Sequence, residues 1–183
     1  MTTKPTAFCL PFCLALAACG APATSPQKVH DPHAVQVGQP GDATCIATST
    51  AENQRIAART NAARRQAGLP PLQANSLLAD AAARHACDMA RRGRMTHVGS
   101  TSSGPGDRLR ALGYRPAISA ENIAAGRFSL EQVLHEWTIS AGHRANMMLP
   151  QIRDVGIGQA LAADGRTRYW AAIYSAPSQN RRR

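Results

Sequence analysis

The chain has 183 residues, 21 Lys and Arg against 11 Asp and Glu, a formal net charge of +10 with neutral histidines, and only 4% aromatic residues. That length suits one folded domain with a tail rather than several domains. Of the basic residues 19 are Arg, but they are scattered, aromatic platforms are scarce and no groove-reading motif occurs, which argues against a nucleic-acid partner.

In chain order, residues 1–18 read as a signal peptide. Lys4 supplies a small positive region and Ala7 to Ala18 is mostly apolar, too short to span a bilayer as a stable anchor. Leu16-Ala17-Ala18-Cys19-Gly20 matches a bacterial lipobox, with Cys19 as the lipidated first mature residue; the alternative is ordinary cleavage near Ala21-Pro22-Ala23. Gly20 is not the Asp that retains many Gram-negative lipoproteins in the inner membrane. The expected location is therefore extracytoplasmic, on the outer membrane in a Gram-negative cell, or secreted if no lipid is attached. Residues 19–43 are rich in Pro, Gly and small polar residues and read as a flexible tether. The folded domain is expected over 44–177, as a monomer, followed by a basic tail at 178–183. Cys9 and Cys13 leave with the signal. Cys45 and Cys87 remain as a disulfide candidate in an oxidising compartment, or else as two buried thiols.

A helix is predicted over residues 50–67, capped by Ser49 or Thr50, with Glu52 in its first turn; Gly68 and Pro70-Pro71 stop it. Asn75 caps a second helix that ends at Gly93. Its apolar positions Leu78, Ala82, His85 and Met89 follow the helical period, so His85 points inward, the usual setting of a hydrogen-bonded core histidine. Residues 95–106 read as a loop. Asp107 is expected to cap a short helix that stops at Gly113, and residues 117–126 to be irregular or briefly extended. Ser129 and Gln132 form a capping box for the next helix. There Leu130, Val133, Leu134 and Trp137 make the buried stripe, while at ~100° per residue His135 faces solvent. Glu136 and Ser140 lie on one shoulder of that stripe. Ala141-Gly142 is expected to break the helix and leave His143 in a turn. Two final strands joined at Asp164-Gly165 give the strongest hairpin signal. Helices first and strands last argue an α+β fold.

Standard catalytic patterns are missing. His135-Glu136 does not continue as H-E-x-x-H, and neither a G-x-S-x-G elbow, a P-loop nor a C-x-x-C pair is present in the mature sequence. The remaining polar candidates are dispersed: His97, Glu121 and His143.

Several short motifs nevertheless recur in a recognisable order: Asn61-x-x-Arg64 with Gly68-Leu69-Pro70-Pro71-Leu72; residues 85–90, HACDMA; Met95-Thr96-His97; Ala120-Glu121-Asn122-Ile123-Ala124; Trp137-x-x-Ser140-x-Gly142-His143-Arg144-x-Asn146; and Val155-Gly156-Ile157-Gly158. Across about residues 50–175 the chain resembles the bacterial branch of the CAP superfamily, the SCP-like extracellular domains. The resemblance implies an α-β-α sandwich with a small antiparallel sheet between helices and a polar cleft of two His and two Glu. His97, Glu121 and His143 match three of these four. The fourth falls at Ser140, and Glu136, one turn earlier, is the nearest substitute.

Two neutral imidazoles can bind Zn²⁺ or a similar divalent cation, and a carboxylate such as Glu121 commonly fixes the tautomer of a ligating His. With only two His the ion is expected to be held weakly, because catalytic zinc usually has three protein ligands. Three readings follow. The first is a membrane-anchored CAP-domain lipoprotein whose cleft binds a cation or a ligand. The second is a metal-dependent hydrolase of envelope peptide or glycan with Glu121 as general base. The third is an Arg-rich binder of anionic envelope polymer or lipid, for which the three residues are only a hydrogen-bonded polar core.

Overall fold

The computed structural model describes residues 1–2 and 29–178. The signal peptide, the lipobox with Cys19, the first part of the tether and most of the basic tail lie outside the described residues. Helix α1 (Thr50–Gln66) starts where Ser49 accepts the Glu52 amide while the Glu52 carboxylate accepts the Ser49 amide, a reciprocal capping box. Helix α2 (Ser76–Arg92) is capped by Asn75 and closed by Gly93 at φ 61°, a conformation that suits glycine. Helix α4 (Leu130–Ile139) begins at the Ser129/Gln132 box.

The main sheet follows the order β2 (Thr44–Ile46), β6 (Asp154–Leu161), β7 (Arg168–Pro177), β5 (Pro116–Gly126), all antiparallel; β3 (Gln73–Ala74) adds a short parallel pairing to β6. One face packs on α2 and on Leu109 of α3 (Pro105–Ala111), through Leu78, Ala82, Met89, Ile123 and Ile173. The other packs on α1 and α4 through Ile56, Val133, Leu134, Trp137, Ile157 and Trp170. This is the expected three-layer sandwich. Each fully buried aliphatic side chain contributes roughly 1.5–3 kcal/mol. Strand β7, covered on both faces, is buried from Tyr169 to Ala176. Trp137 is 1% exposed and His85 likewise 1%, whereas His135 is exposed, as the helical period predicts.

Helix α2 lies directly against β6 because Gly156 and Gly158 carry no side chain there. A Cβ at Gly158 would stand 2.1 Å from the Ala83 amide nitrogen, and one at Gly156 would stand 2.2 Å from that of Ala79. Cys45 and Cys87 form a disulfide that clips edge strand β2 to α2. On the far side, buried Arg64 donates to the carbonyls of Pro70, Met147 and Leu149, and Asn61 exchanges two hydrogen bonds with the backbone of Leu72. The Asn61/Arg64 motif thus ties α1 to the loop after it and to the segment around Met147 and Leu149.

Four local expectations differ. Residues 116–126 form the eleven-residue strand β5, extended throughout with a register shift between Pro116 and Ile118, in place of the expected irregular or briefly extended stretch; its polar residues Glu121 and Asn122 are buried because tertiary partners satisfy them. Asp107 lies in the first turn of α3, which starts at Pro105, and accepts the Ser103 amide instead of capping the helix. At Ser140 (φ −75°, ψ 123°) the chain turns straight into α5 (Ala141–Met147), so His143 rides on a helical turn. Finally, part of the segment read as tether is docked. Strand β1 (Val35–Gln36) pairs with β4 (Arg94–Met95), and the amides of Val37, Gly38 and Gly41 donate to carbonyls at the end of α2. Backbone pairing explains this, and composition does not register it.

Candidate functional site

The site is organised around Glu121. Strand alternation sends neighbouring β5 side chains to opposite faces, so Glu121 faces α2 and α3 while Asn122 faces α5. The Glu121 carboxylate, 1% exposed, accepts from His97 Nδ1 at 2.9 Å and from Arg108 Nη2 at 2.5 Å. His85 Nε2 lies 3.7 Å from the same carboxylate and donates to the Thr96 carbonyl at 2.9 Å. Arg108 also donates to the His97 carbonyl at 3.1 Å.

A second set of bonds fixes the other imidazole. Asn122 Nδ2 donates to the His143 carbonyl at 3.1 Å, and Asn146 Nδ2 donates to the Glu121 carbonyl at 3.0 Å and to Asn122 Oδ1 at 2.9 Å. Two adjacent β5 residues therefore hold both histidine-bearing segments. His143 Nδ1 is hydrogen bonded to Ser140 Oγ at 3.0 Å, and its ring is tilted against Trp137 with centroids 6.4 Å apart. Ser140 thus sits at the position where the resemblance implies a carboxylate and engages the same histidine with a hydroxyl. Glu136 is exposed and makes no side-chain hydrogen bond among the described residues, so nothing draws it to the imidazoles.

Charge follows this geometry. Burial works against ionisation of Glu121, but His85, the His97 hydrogen bond and the Arg108 guanidinium outweigh it and keep its carboxyl below the usual glutamate range. The hydrogen bond to Glu121 raises His97 above the ordinary imidazole value despite burial. Burial, reinforced by the neighbouring charge of His97, lowers His143. Burial pushes His85 down to about 4.

The residues fit a loosely held divalent cation in part. Each of His97 and His143 has Nδ1 engaged, while Nε2 takes no hydrogen bond among the described residues. A partner on one ring nitrogen is the usual way to orient the other toward a metal. Among the described residues no group of three or more His, Cys, Asp or Glu is gathered to hold an ion, so two imidazoles would be the whole protein contribution. Sequence reasoning missed Arg108, Asp31 and the link from His85 to Glu121. Asp31, far upstream, accepts Thr96 Oγ1 at 2.7 Å and the His97 amide at 2.6 Å. Arg108 carries no distinguishing signal in a chain with 19 Arg.

The cysteine-rich secretory protein family, CAP, matches residues 57–174, a span that includes His97, Glu121 and His143. The chain belongs to the CAP family. YkwD of Bacillus subtilis (strain 168) is 32% identical over 109 residues, covering 60% of this chain and 42% of the relative. The crystal structure of an extracellular protein containing a SCP domain from Bacillus anthracis superposes with a TM-score of 0.60 at 29% identity, over 68% of this chain and 40% of that one. This CAP chain therefore spans less than half the length of either relative. An outer surface protein of Borrelia burgdorferi superposes with a TM-score of 0.62 over 72% of this chain and 97% of its own, at 17% identity, and so speaks for the fold alone. No helix among the described residues is long and apolar enough to cross a membrane.

Proposed function

We propose that this CAP domain is an extracytoplasmic binding module, tethered to a membrane through a lipid on Cys19, whose cleft between His97 and His143 takes a ligand with a weakly held divalent cation such as Zn²⁺. The supporting observation is the paired fixation of the imidazoles: Glu121 holds His97 by Nδ1 and Ser140 holds His143 by Nδ1, leaving both Nε2 atoms uncommitted. A bound ion would offer Lewis acidity and open coordination positions to an oxygen-bearing ligand. The protein's own part is to orient the rings. His143 is kept neutral by burial and so remains a competent donor.

The hydrolase reading is weaker. A general base must have a lone pair within reach of the proton it removes. Both Glu121 oxygens are engaged, and the carboxylate is 1% exposed. Its geometry suits an orienting group for His97 rather than a proton acceptor.

Calorimetric titration of the mature chain with Zn²⁺ tests the reading. Uptake is expected in the wild type and is expected to vanish in H97A/H143A, with circular dichroism at the titration temperature checking that the variant is still folded, since loss of the His97 bond to Glu121 lowers its thermal midpoint. No uptake by the wild type, or equal uptake by the variant, would sink the proposal.

A further inference from the structure

Away from Glu121 and its histidines, an open groove of about 690 Å³ runs between the start of α4 and the β6–β7 end of the sheet. Its walls include Arg127, Arg166, Arg168 and Phe128. The three arginines come from three places: the β5–α4 link, the β6–β7 turn and the first position of β7. The sheet register joins them, since Arg168 pairs with Gly126 on one side and with Leu161 on the other. Along β5, Gly126 is five residues from Glu121, about 17 Å in a strand, so the groove lies apart from Glu121 and its partners.

The groove is built in advance. Trp170, 2% exposed, donates its indole N–H to the Phe128 carbonyl at 3.3 Å, and the Ser129/Gln132 capping box pins the next residues. The link that carries Arg127 is thereby fixed. Elsewhere Arg55, Arg84, Arg92, Arg108 and Arg110 find carboxylates. In the groove none does among the described residues. Arg168 donates only to neutral Gln159, at 2.7 Å. The charged groups nearby are few. Asp164 feels Arg127, but its oxygens are taken by the Arg166 amide and by the amide and hydroxyl of Thr167. Glu131 is paired with Arg55 at 3.6 Å. Glu52, next to the groove wall, accepts from Gln159 and from Ser49. Three guanidinium groups therefore line one concavity whose neighbouring carboxylates, Asp164, Glu131 and Glu52, are already engaged by other groups.

We infer that this groove is a second binding site, for a chain-like anionic polymer bearing repeated phosphate groups. Guanidinium forks match phosphate oxygens two at a time, and three of them spaced along a trough suit successive charges on a chain. A flat lipid surface fits less well. The groove is concave, its large apolar wall residues Phe128 and Leu130 are only partly exposed, and the exposed large apolar side chains among the described residues, Val29, Val35, Val37, Leu77 and Ile139 apart from the terminal Met1, lie outside its walls.

The mature chain is titrated with long-chain inorganic polyphosphate at low and moderate salt, and in parallel with phosphatidylglycerol vesicles. R127Q/R166Q changes two exposed side chains of the groove; R59Q/R65Q removes the same charge from exposed positions of α1. The groove variant is expected to bind polyphosphate about tenfold more weakly with a shallower salt dependence, and the α1 variant to stay within about twofold of wild type. Equal losses in the two variants would reduce the site to diffuse net charge and overturn the inference. So would failure of the wild type to bind polyphosphate, or groove-dependent binding to vesicles alone.

Discussion

Glu121 and His85 show how burial divides roles between neighbouring titratable groups. Glu121 stays charged in the interior because Arg108 and His97 both donate to it. Removing one partner of such a buried pair typically costs about 3–5 kcal/mol, chiefly by stranding the other charge. His85 is the opposite case. Its Nε2 proton is spent on the Thr96 carbonyl, its Nδ1 has no partner, and burial pushes its pKa down to about 4. The sign is definite. Between the unfolded value of about 6.5 and the folded one, the unfolded chain binds the extra proton and the folded chain does not, so stability falls as pH falls through that window. At pH 5 the loss attributable to His85 is about 2 kcal/mol. His97, raised by Glu121, works in the other direction: its contribution is present below the unfolded value and lost as pH rises through the folded one. The two are separated by comparing wild type with H85Q, whose amide can still donate to Thr96. Urea midpoints are expected to show H85Q gaining on wild type by about 2 kcal/mol between pH 7.5 and pH 5. Parallel pH profiles would contradict this account of His85.

At the scale of elements, the sequence is clear where local chemistry decides and obscure where partners do. Ser49, Asn75 and the Ser129/Gln132 pair mark helix starts from a few residues, and the structure has helices there. Strand β5 has no such mark. Glu121 and Asn122 in an Ala-rich run look irregular until α3 and α5 are placed beside them, because each polar group is satisfied by a residue far away in sequence. The likeness to the CAP family located His97, Glu121 and His143, but could not single out Arg108 or show that Ser140 would engage His143. The repeated glycines of β6 gave a motif without a reason. The reason is contact: α2 packs on the β6 backbone itself. Substitution G158A would place a methyl 2.1 Å from the Ala83 nitrogen and 2.2 Å from its Cα, both backbone atoms that cannot swing aside. Overpacking a close-packed contact costs about 1–3 kcal/mol or more, and here both elements must separate. The thermal midpoint of G158A is expected to fall by about 2–12 °C. G142A is the control, since a Cβ at Gly142 meets nothing within 4 Å. Similar midpoints for both variants would show that the helix–sheet spacing is softer than argued.

For the molecule as a whole, the consequential feature is that the N-terminal segment is tied to the segment that carries His97. Asp31 accepts the His97 amide, Thr96 Oγ1 and the His33 amide. From there the strap runs through β1 to Gly41, whose amide donates to the Arg91 carbonyl. Gly93 serves both parts: its positive φ closes α2, and its missing side chain leaves room for the strap, since a Cβ there would stand 2.4 Å from the Gly38 carbonyl oxygen. A chain pulled from its N-terminus would therefore load Thr96 and His97. The strap buries little apolar surface, with Val35 50% and Val37 39% exposed, so a handful of hydrogen bonds carries its stability. Each is worth about 1 kcal/mol net, and Asp31 supplies three acceptor contacts at one end. Substitution D31A should therefore release the strap without unfolding the sandwich. In hydrogen exchange, the amides of Val37, Gly38 and Gly41 are expected to exchange at least about tenfold faster in D31A, while those of β6 and β7 keep wild-type protection. Faster exchange throughout the sheet would mean that the strap is integral to the core. Unchanged exchange at these three amides would mean that β1 holds without Asp31, and that tension on the tether does not reach His97 by this route.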